Sequence, residues 1–153
     1  MIIKNGLVID PASGLSEKMD LLIEDGIIKE MASLITKEGE EVLDAAGLVV
    51  APGLIDTHVH FRDPGFTYKE TIHTGALASA KGGFTSVICM ANTSPTVDSV
   101  PVLKDNLSRA SKEKIRIFQL LRFPCNLKGQ EETDMDALKE AGACGFTDDG
   151  SHF

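Results

Sequence analysis

Two histidines stand two residues apart in Asp56-Thr57-His58-Val59-His60, at the end of a short apolar run from Leu54 to His58 that reads as a β-strand. Side chains alternate along a strand, so residues two apart share a face and both imidazoles can reach one ion. Borderline divalent metals such as zinc accept imidazole nitrogen readily. A lone pair of this kind also fits two surface histidines. Arg62 follows the pair, where its guanidinium could hold a carboxylate in bidentate fashion; a surface or interface ion pair is the plain alternative.

Two further clusters carry polar chemistry. Met90-Ala91-Asn92-Thr93 follows a second apolar run, and Asn92 offers both a donor and an acceptor to a polar substrate. An asparagine ahead of Ser94-Pro95 is also ordinary turn chemistry. Thr147-Asp148-Asp149-Gly150 follows another strand-like run, and paired acids before glycine are equally common in solvated loops.

The elements that must position these residues fall into two textures. Up to residue 50 the chain reads as short strands and turns. Ile2-Ile3-Lys4 and Leu7-Val8-Ile9 flank Asn5-Gly6, a two-residue hairpin signal, and the pattern repeats around Asp25-Gly26. Strands are also expected over Glu41 to Asp44 and Leu48 to Val50. After Ala51-Pro52-Gly53, strands alternate with helices. Strands are expected at Leu54 to His58, Phe84 to Met90, Ile115 to Leu121 and Cys144 to Thr147. Helices are expected at Thr67 to Lys81 (closed by Gly82-Gly83), at Ser99 to Lys114 with Ser99 as cap, and at Thr133 to Ala141 with a capping threonine. This alternation implies a parallel sheet with helical crossovers. An open doubly wound sheet and a barrel both fit it. In either fold the histidines, Asn92 and the acidic pair sit at the carboxyl ends of parallel strands, which in (β/α) barrels form the active-site face.

Composition narrows the function classes. The chain of 153 residues is 42% apolar and 25% charged, which suits a globular protein. Its formal net charge of −8 argues against general affinity for nucleic acid or anionic membrane. The amino terminus lacks a signal-peptide or membrane-span pattern, so the cytoplasm is the expected compartment. Cys89, Cys125 and Cys144 form no closely spaced pair, which disfavours a disulfide framework or zinc knuckle.

The run Ala51-Pro52-Gly53-Leu54-Ile55-Asp56 with His58, His60, Arg62, Pro64 and Gly65 is similar to the amidohydrolase superfamily. The continuation Lys69-Glu70-Thr71, Thr74-Gly75, Lys81-Gly82-Gly83-Phe84-Thr85, Asn92-Thr93 and Phe146-Thr147-Asp148-Asp149-Gly150 resembles dihydroorotases of the longer bacterial type. That resemblance implies an α/β fold: part of a (β/α)8 TIM-like barrel, its first four βα strands in 51–153, preceded in 1–50 by part of a small β-sandwich. It implies reversible, metal-dependent hydrolysis of the cyclic amide of dihydroorotate to carbamoyl-aspartate in pyrimidine biosynthesis. By resemblance His58 and His60 bind one metal, Asp149 bridges two where many relatives use a carboxylated lysine, and Arg62 and Asn92 hold the substrate carboxylate. Zinc is the expected cofactor, as one or two ions in the complete enzyme.

Three features depart from the family's pattern. Ala91 replaces a usual proline, which predicts a looser loop; the segment Leu121 to Asn126 is atypical; and His152 matches no ligand position. The family's remaining metal histidines and catalytic aspartate have no counterpart before Phe153. The expectation is therefore an N-terminal portion, with no catalytic base of its own, inactive when isolated and prone to oligomerise through unpaired strand edges. The alternatives are a non-catalytic scaffold assembling with aspartate transcarbamoylase, and a cyclic amidohydrolase of the allantoinase or dihydropyrimidinase kind.

Overall fold

The computed structural model describes residues 1–122 and 135–149. The chain divides into two compact units, Met1–Pro52 and Gly53–Phe153.

The first unit is a five-stranded sheet of β1 (Ile2–Asp10), β2 (Leu15–Glu24), β3 (Ile27–Ala32), β4 (Val42–Asp44) and β5 (Val49–Val50). Its order is β3-β2-β1-β4, with β5 also on β1. Of the two Asx-Gly signals, Asp25-Gly26 does turn the chain, with φ of 51° and 73° as a type I′ hairpin requires. Asn5-Gly6 does not. Strand β1 runs through it, and the register passes from Ile3↔Leu21 to Gly6↔Met19, so β1 carries one extra residue as a bulge. Asn5 takes the left-handed conformation, with φ 63°, and its freed N–H donates to Asp20 Oδ1 at 2.9 Å. The bulge also marks where β1 exchanges one parallel neighbour for another, β4 against Ile2 to Lys4 and β5 against Leu7 and Val8. Ile2, Leu22 and Ile35 form the unit's buried cluster. Among the described residues the unit is a single layer, so the expected sandwich is represented by one sheet.

The second unit is a parallel sheet in the order β6-β7-β8-β9, formed by β6 (Leu54–Val59), β7 (Phe84–Cys89), β8 (Arg116–Arg122) and β9 (Gly145–Thr147). The crossovers contain α1 (Ile72–Lys81), α2 (Val100–Ala110) and α3 (Met135–Glu140). Sequential order means every crossover steps in the same direction. Right-handed crossovers then place the helices on one face, as in a singly wound sheet, whereas a doubly wound sheet reverses direction at a switch point. Ala76 of α1 packs with Val87 and Cys89 of β7, and Leu103 of α2 with Leu121 of β8 and Leu138 of α3. Burial pushes the Cys89 thiol up to about 12, so this cysteine is a core apolar group.

Helix α1 starts five residues later than its sequence suggests. Thr71 is the cap, in a reciprocal box with Thr74. Residues upstream are committed to turns, Phe66 N–H to Arg62 O and Lys69 N–H to Phe66 O, both near 2.9 Å. Gly83 supplies the left-handed residue after the helix, at φ 84°, while Gly82 stays right-handed. Ser99 occupies the cap position of α2 but its side chain makes no capping bond. The expected cap Thr133, residues 123–126 and His152 lie outside the described residues. Among the described residues no helix is long and apolar enough to cross a membrane.

Candidate metal centre

The parallel register brings the strand ends level. Val59 pairs with Cys89, Cys89 with Gln119, and Arg122 with Thr147, so the residues just past β6, β7 and β9 open on one edge. His58 and His60 come from β6 and its end, Asn92 from the loop after β7, and Asp149 from the loop after β9. The two imidazole rings lie 5.1 Å apart at 62°. Each carboxylate oxygen of Asp149 faces a different ring, Oδ1 at 3.6 Å from His58 Nε2 and Oδ2 at 3.6 Å from His60 Nε2. One ligand atom from each of the three residues lies within 4.8 Å of the others.

These donors fit a divalent metal. Two ligands each ~2.1 Å from a tetrahedral zinc would stand ~3.4 Å apart, close to the spacing between Asp149 and either histidine. Nitrogen and carboxylate oxygen suit zinc and its neighbours. His58 is 56% exposed and Asp149 23%, so the group is open on one side.

Neighbouring groups fix the geometry. His58 N–H donates to Asp56 Oδ1 at 3.0 Å, and Asp149 N–H to Thr147 Oγ1 at 3.1 Å. Asn92 joins two ligands, with Oδ1 at 2.9 Å from His60 Nδ1 and Nδ2 donating to Asp149 Oδ2 at 3.1 Å. Arg62 Nη1 reaches the Asn92 carbonyl at 3.4 Å, and none of the ion pairs among the described residues involves Arg62. Its backbone is left-handed, with φ 58°. The Asn92 loop is well tied despite the alanine before it. Ala91 is 2% exposed, and its carbonyl accepts N–H groups of Thr93 at 2.9 Å and Val97 at 3.2 Å.

Sequence reasoning missed the layer behind Arg62. Asp63 pairs with Arg109 of α2 and accepts the N–H of Ile72 at 3.2 Å, tying the loop to two helices. Arg109 also donates to Asn106 Oδ1 at 2.6 Å, and buried Gln119 donates to the carbonyls of Cys89 and Met90 at the end of β7. Periodicity alone marks Arg109 as a solvated helix residue, so no local signal revealed this pairing.

The sequence profile described as dihydro-orotase-like matches residues 47–153. The chain belongs to this family. It is 57% identical over 150 residues to the dihydroorotase of Streptococcus pneumoniae serotype 4, covering 98% of the chain and 36% of that relative. It is 51% identical over the same length to the dihydroorotase of Streptococcus thermophilus, again covering 98% of the chain and 36% of the relative. The chain thus spans about a third of the length of these curated relatives. Among solved structures, L-hydantoinase (dihydropyrimidinase) from Arthrobacter aurescens superposes with a TM-score of 0.78 at 25% identity, covering 95% of this chain and 32% of that one. A D-hydantoinase gives 0.68 at 31% identity, covering 91% of this chain and 29% of its own. A crystal structure of a dihydroorotase gives 0.59 at 18% identity, covering 95% of this chain and 41% of its own, and shows likeness of fold alone.

Proposed function

We propose that this chain provides the N-terminal metal-binding portion of a dihydroorotase that interconverts dihydroorotate and carbamoyl-aspartate in pyrimidine biosynthesis. The observation that carries this reading is the convergence of His58, His60 and Asp149, with Arg62 and Asn92 beside them, in a chain 57% identical to a dihydroorotase. His58 and His60 would hold a zinc ion, and Asp149 would offer its carboxylate to that ion and a second. A divalent ion so held supplies the positive charge that polarises an amide carbonyl. Arg62 turns the unspent edge of its guanidinium to the substrate carboxylate. Asn92 keeps one amide N–H for the same group. The catalytic base belongs to a part of the enzyme beyond Phe153. The sequential sheet is the first half of a (β/α)8 barrel, residues 51–153, and the 1–50 unit is one layer of a β-sandwich. We read the enzyme as a cytoplasmic homo-oligomer; the net charge of −8 supports the absence of any general affinity for an anionic membrane.

A second reading has its own support, because the solved hydantoinases superpose well on this chain. The two separate on a substrate panel given to the full-length protein. Turnover of dihydroorotate and carbamoyl-aspartate well ahead of hydantoin, dihydrouracil and allantoin is expected. A preference for hydantoin would establish the second reading. Purified 1–153 should show no metal-dependent cyclisation of carbamoyl-aspartate, and turnover by it would overturn the placement of the base outside this chain.

A further inference from the structure

We propose that Asn92 is a positioning residue for the metal ligands, setting the tautomer of His60 and the orientation of Asp149. This rests on reading His58, His60 and Asp149 as a metal site, and it is a role separate from holding substrate. The argument is one of polarity. Read as a metal ligand, Asp149 offers carboxylate oxygens that accept hydrogen bonds, and the Asn92 side chain turns its NH2 end toward Oδ2, 3.1 Å away. Its carbonyl end then faces His60 Nδ1 at 2.9 Å. A carbonyl oxygen can only accept, so the neutral ring carries its proton on Nδ1. Nε2, the atom facing Asp149, is left with its lone pair for an ion. The opposite orientation fails twice. It sets an amide oxygen against a carboxylate, and it forces the His60 proton onto Nε2, where it blocks the ligand position.

The scaffold under Asn92 suits this role. The preceding carbonyl, of Ala91, accepts two backbone N–H groups, and Ser94 N–H donates to Pro64 O at 3.1 Å. Thr93 Oγ1 donates to Pro95 O at 2.7 Å. Arg62 reaches the Asn92 backbone carbonyl, which leaves the Asn92 side chain to the two ligands. Among the described residues no side-chain amide faces the His58 ring, whose Nε2 lies 3.6 Å from Asp149 Oδ1; its backbone N–H is held by Asp56. The two histidines of one metal pair are therefore oriented by different means, and Asn92 acts on His60 alone.

The experiment joins zinc affinity with nitrogen NMR on the 153-residue chain labelled with 15N at histidine. Spectra are taken in solution or under magic-angle spinning, as its association state requires. In the metal-free chain His60 is expected as the Nδ1–H tautomer. Asn92→Ala should return His60 to the mixture of a solvated imidazole, leave His58 unchanged, and weaken zinc about 10- to 100-fold in competition with a chromophoric chelator. Asn92→Asp keeps an acceptor toward Nδ1 but sets an oxygen against Asp149 Oδ2, so it should hold the Nδ1–H tautomer while still weakening zinc. His60→Ala calibrates the site. If it abolishes zinc binding while Asn92→Ala binds as wild type, the positioning role is overturned and the metal site stands. If His60→Ala binds zinc undiminished, the metal site itself fails and the role goes with it. Should Asn92→Ala not fold, the wild-type spectrum decides, because an Nε2–H tautomer at His60 would refute the proposal unaided.

Discussion

Asp20 and Asp149 are both carboxylates held by nitrogen donors, yet their surroundings give them different work. Asp20 is 3% exposed, and its two oxygens accept the N–H groups of Asn5 at 2.9 Å and Ile35 at 3.0 Å. Those donors, Ile35 first, hold its carboxyl below the usual range. Removing the acceptor strands buried N–H groups, so Asp20→Ala should lower stability by about 1–3 kcal/mol in urea titrations. The pH dependence follows from the sign of the shift. A carboxyl with a depressed folded value contributes stability that is complete above its unfolded value, ~3.9, and is lost as pH falls through the lower folded value. Asp20→Asn should therefore show a shallower fall in urea midpoint below about pH 4 than the wild type, and parallel curves would refute that assignment. Asp149 by contrast has both oxygens turned to histidines at an open edge, where a carboxylate suits a metal better than a fold. Arg62 belongs with it. Losing a charge-assisted contact costs about 1.5–3 kcal/mol, so Arg62→Met in the full-length protein should raise KM for dihydroorotate about 10- to 100-fold. A substrate without a carboxylate should be little affected. Two-residue spacing marked His58 and His60 as a possible pair in the sequence, whereas Asp149, in an acidic loop, was singled out by family resemblance alone. The polarity of Asn92 was not legible, because it depends on which neighbours the fold brings to each end of one amide.

At the level of elements, small side chains and buried pairs decide how closely the helices approach the strands that carry the site. Gly75 in α1 lies against Phe61, just past β6, and a Cβ there would fall 2.4 Å from Cδ1 of the ring. Alanine is favoured over glycine in a helix by about 1 kcal/mol, but overpacking costs about 1–3 kcal/mol. Gly75→Ala should therefore lower the melting temperature despite better propensity, and adding Phe61→Leu should recover much of the loss. Arg109 of α2 bears on the other side of the same loop through Asp63, whose side chain is only 10% exposed. Arg109→Met leaves that carboxylate without its partner. Because Arg109 itself is 32% exposed, the cost should be about 2 kcal/mol, short of the 3–5 expected when a fully buried pair is broken. In the full-length enzyme KM should rise with it, since Arg62 is the next residue; an unchanged KM would separate the two. The strands and helices of the second unit were legible because hydrophobic period and glycine punctuation agree there. The start of α1 was not, since Asp63, itself paired with Arg109 of α2, takes the Ile72 N–H while residues 62–69 close local turns of their own. Asn5-Gly6 misled for a related reason. A left-handed asparagine serves a bulge as well as a turn, and the choice lay with Asp20 across the ladder.

On the scale of the whole molecule, alternating strands and helices left an open sheet and a barrel equally possible, and only the sequential order of strands distinguishes one-way winding from a switch point. That order also leaves β6 and β9 with one neighbour each among the described residues. Beside the β6 edge, Leu54 is 54% exposed and Ile55 64%, and Phe118 on β8 is 43% exposed. The first unit shows Ile27, Ile28 and Met31. Unpaired strand edges with apolar side chains are templates for another chain, and contiguous apolar surface favours burial against a partner. The net charge of −8 opposes this, though only by a repulsion that salt screens, with a Debye length of about 10 Å at 0.1 M and about 3 Å at 1 M. The 153-residue chain should therefore run above its 16.4 kDa mass in size-exclusion chromatography with light scattering, and more so as salt rises. Ile55→Lys sets a charge on the exposed edge strand and should shift the distribution back toward monomer. A monomer of 16.4 kDa at both low and high salt would show that these edges are satisfied within the chain itself.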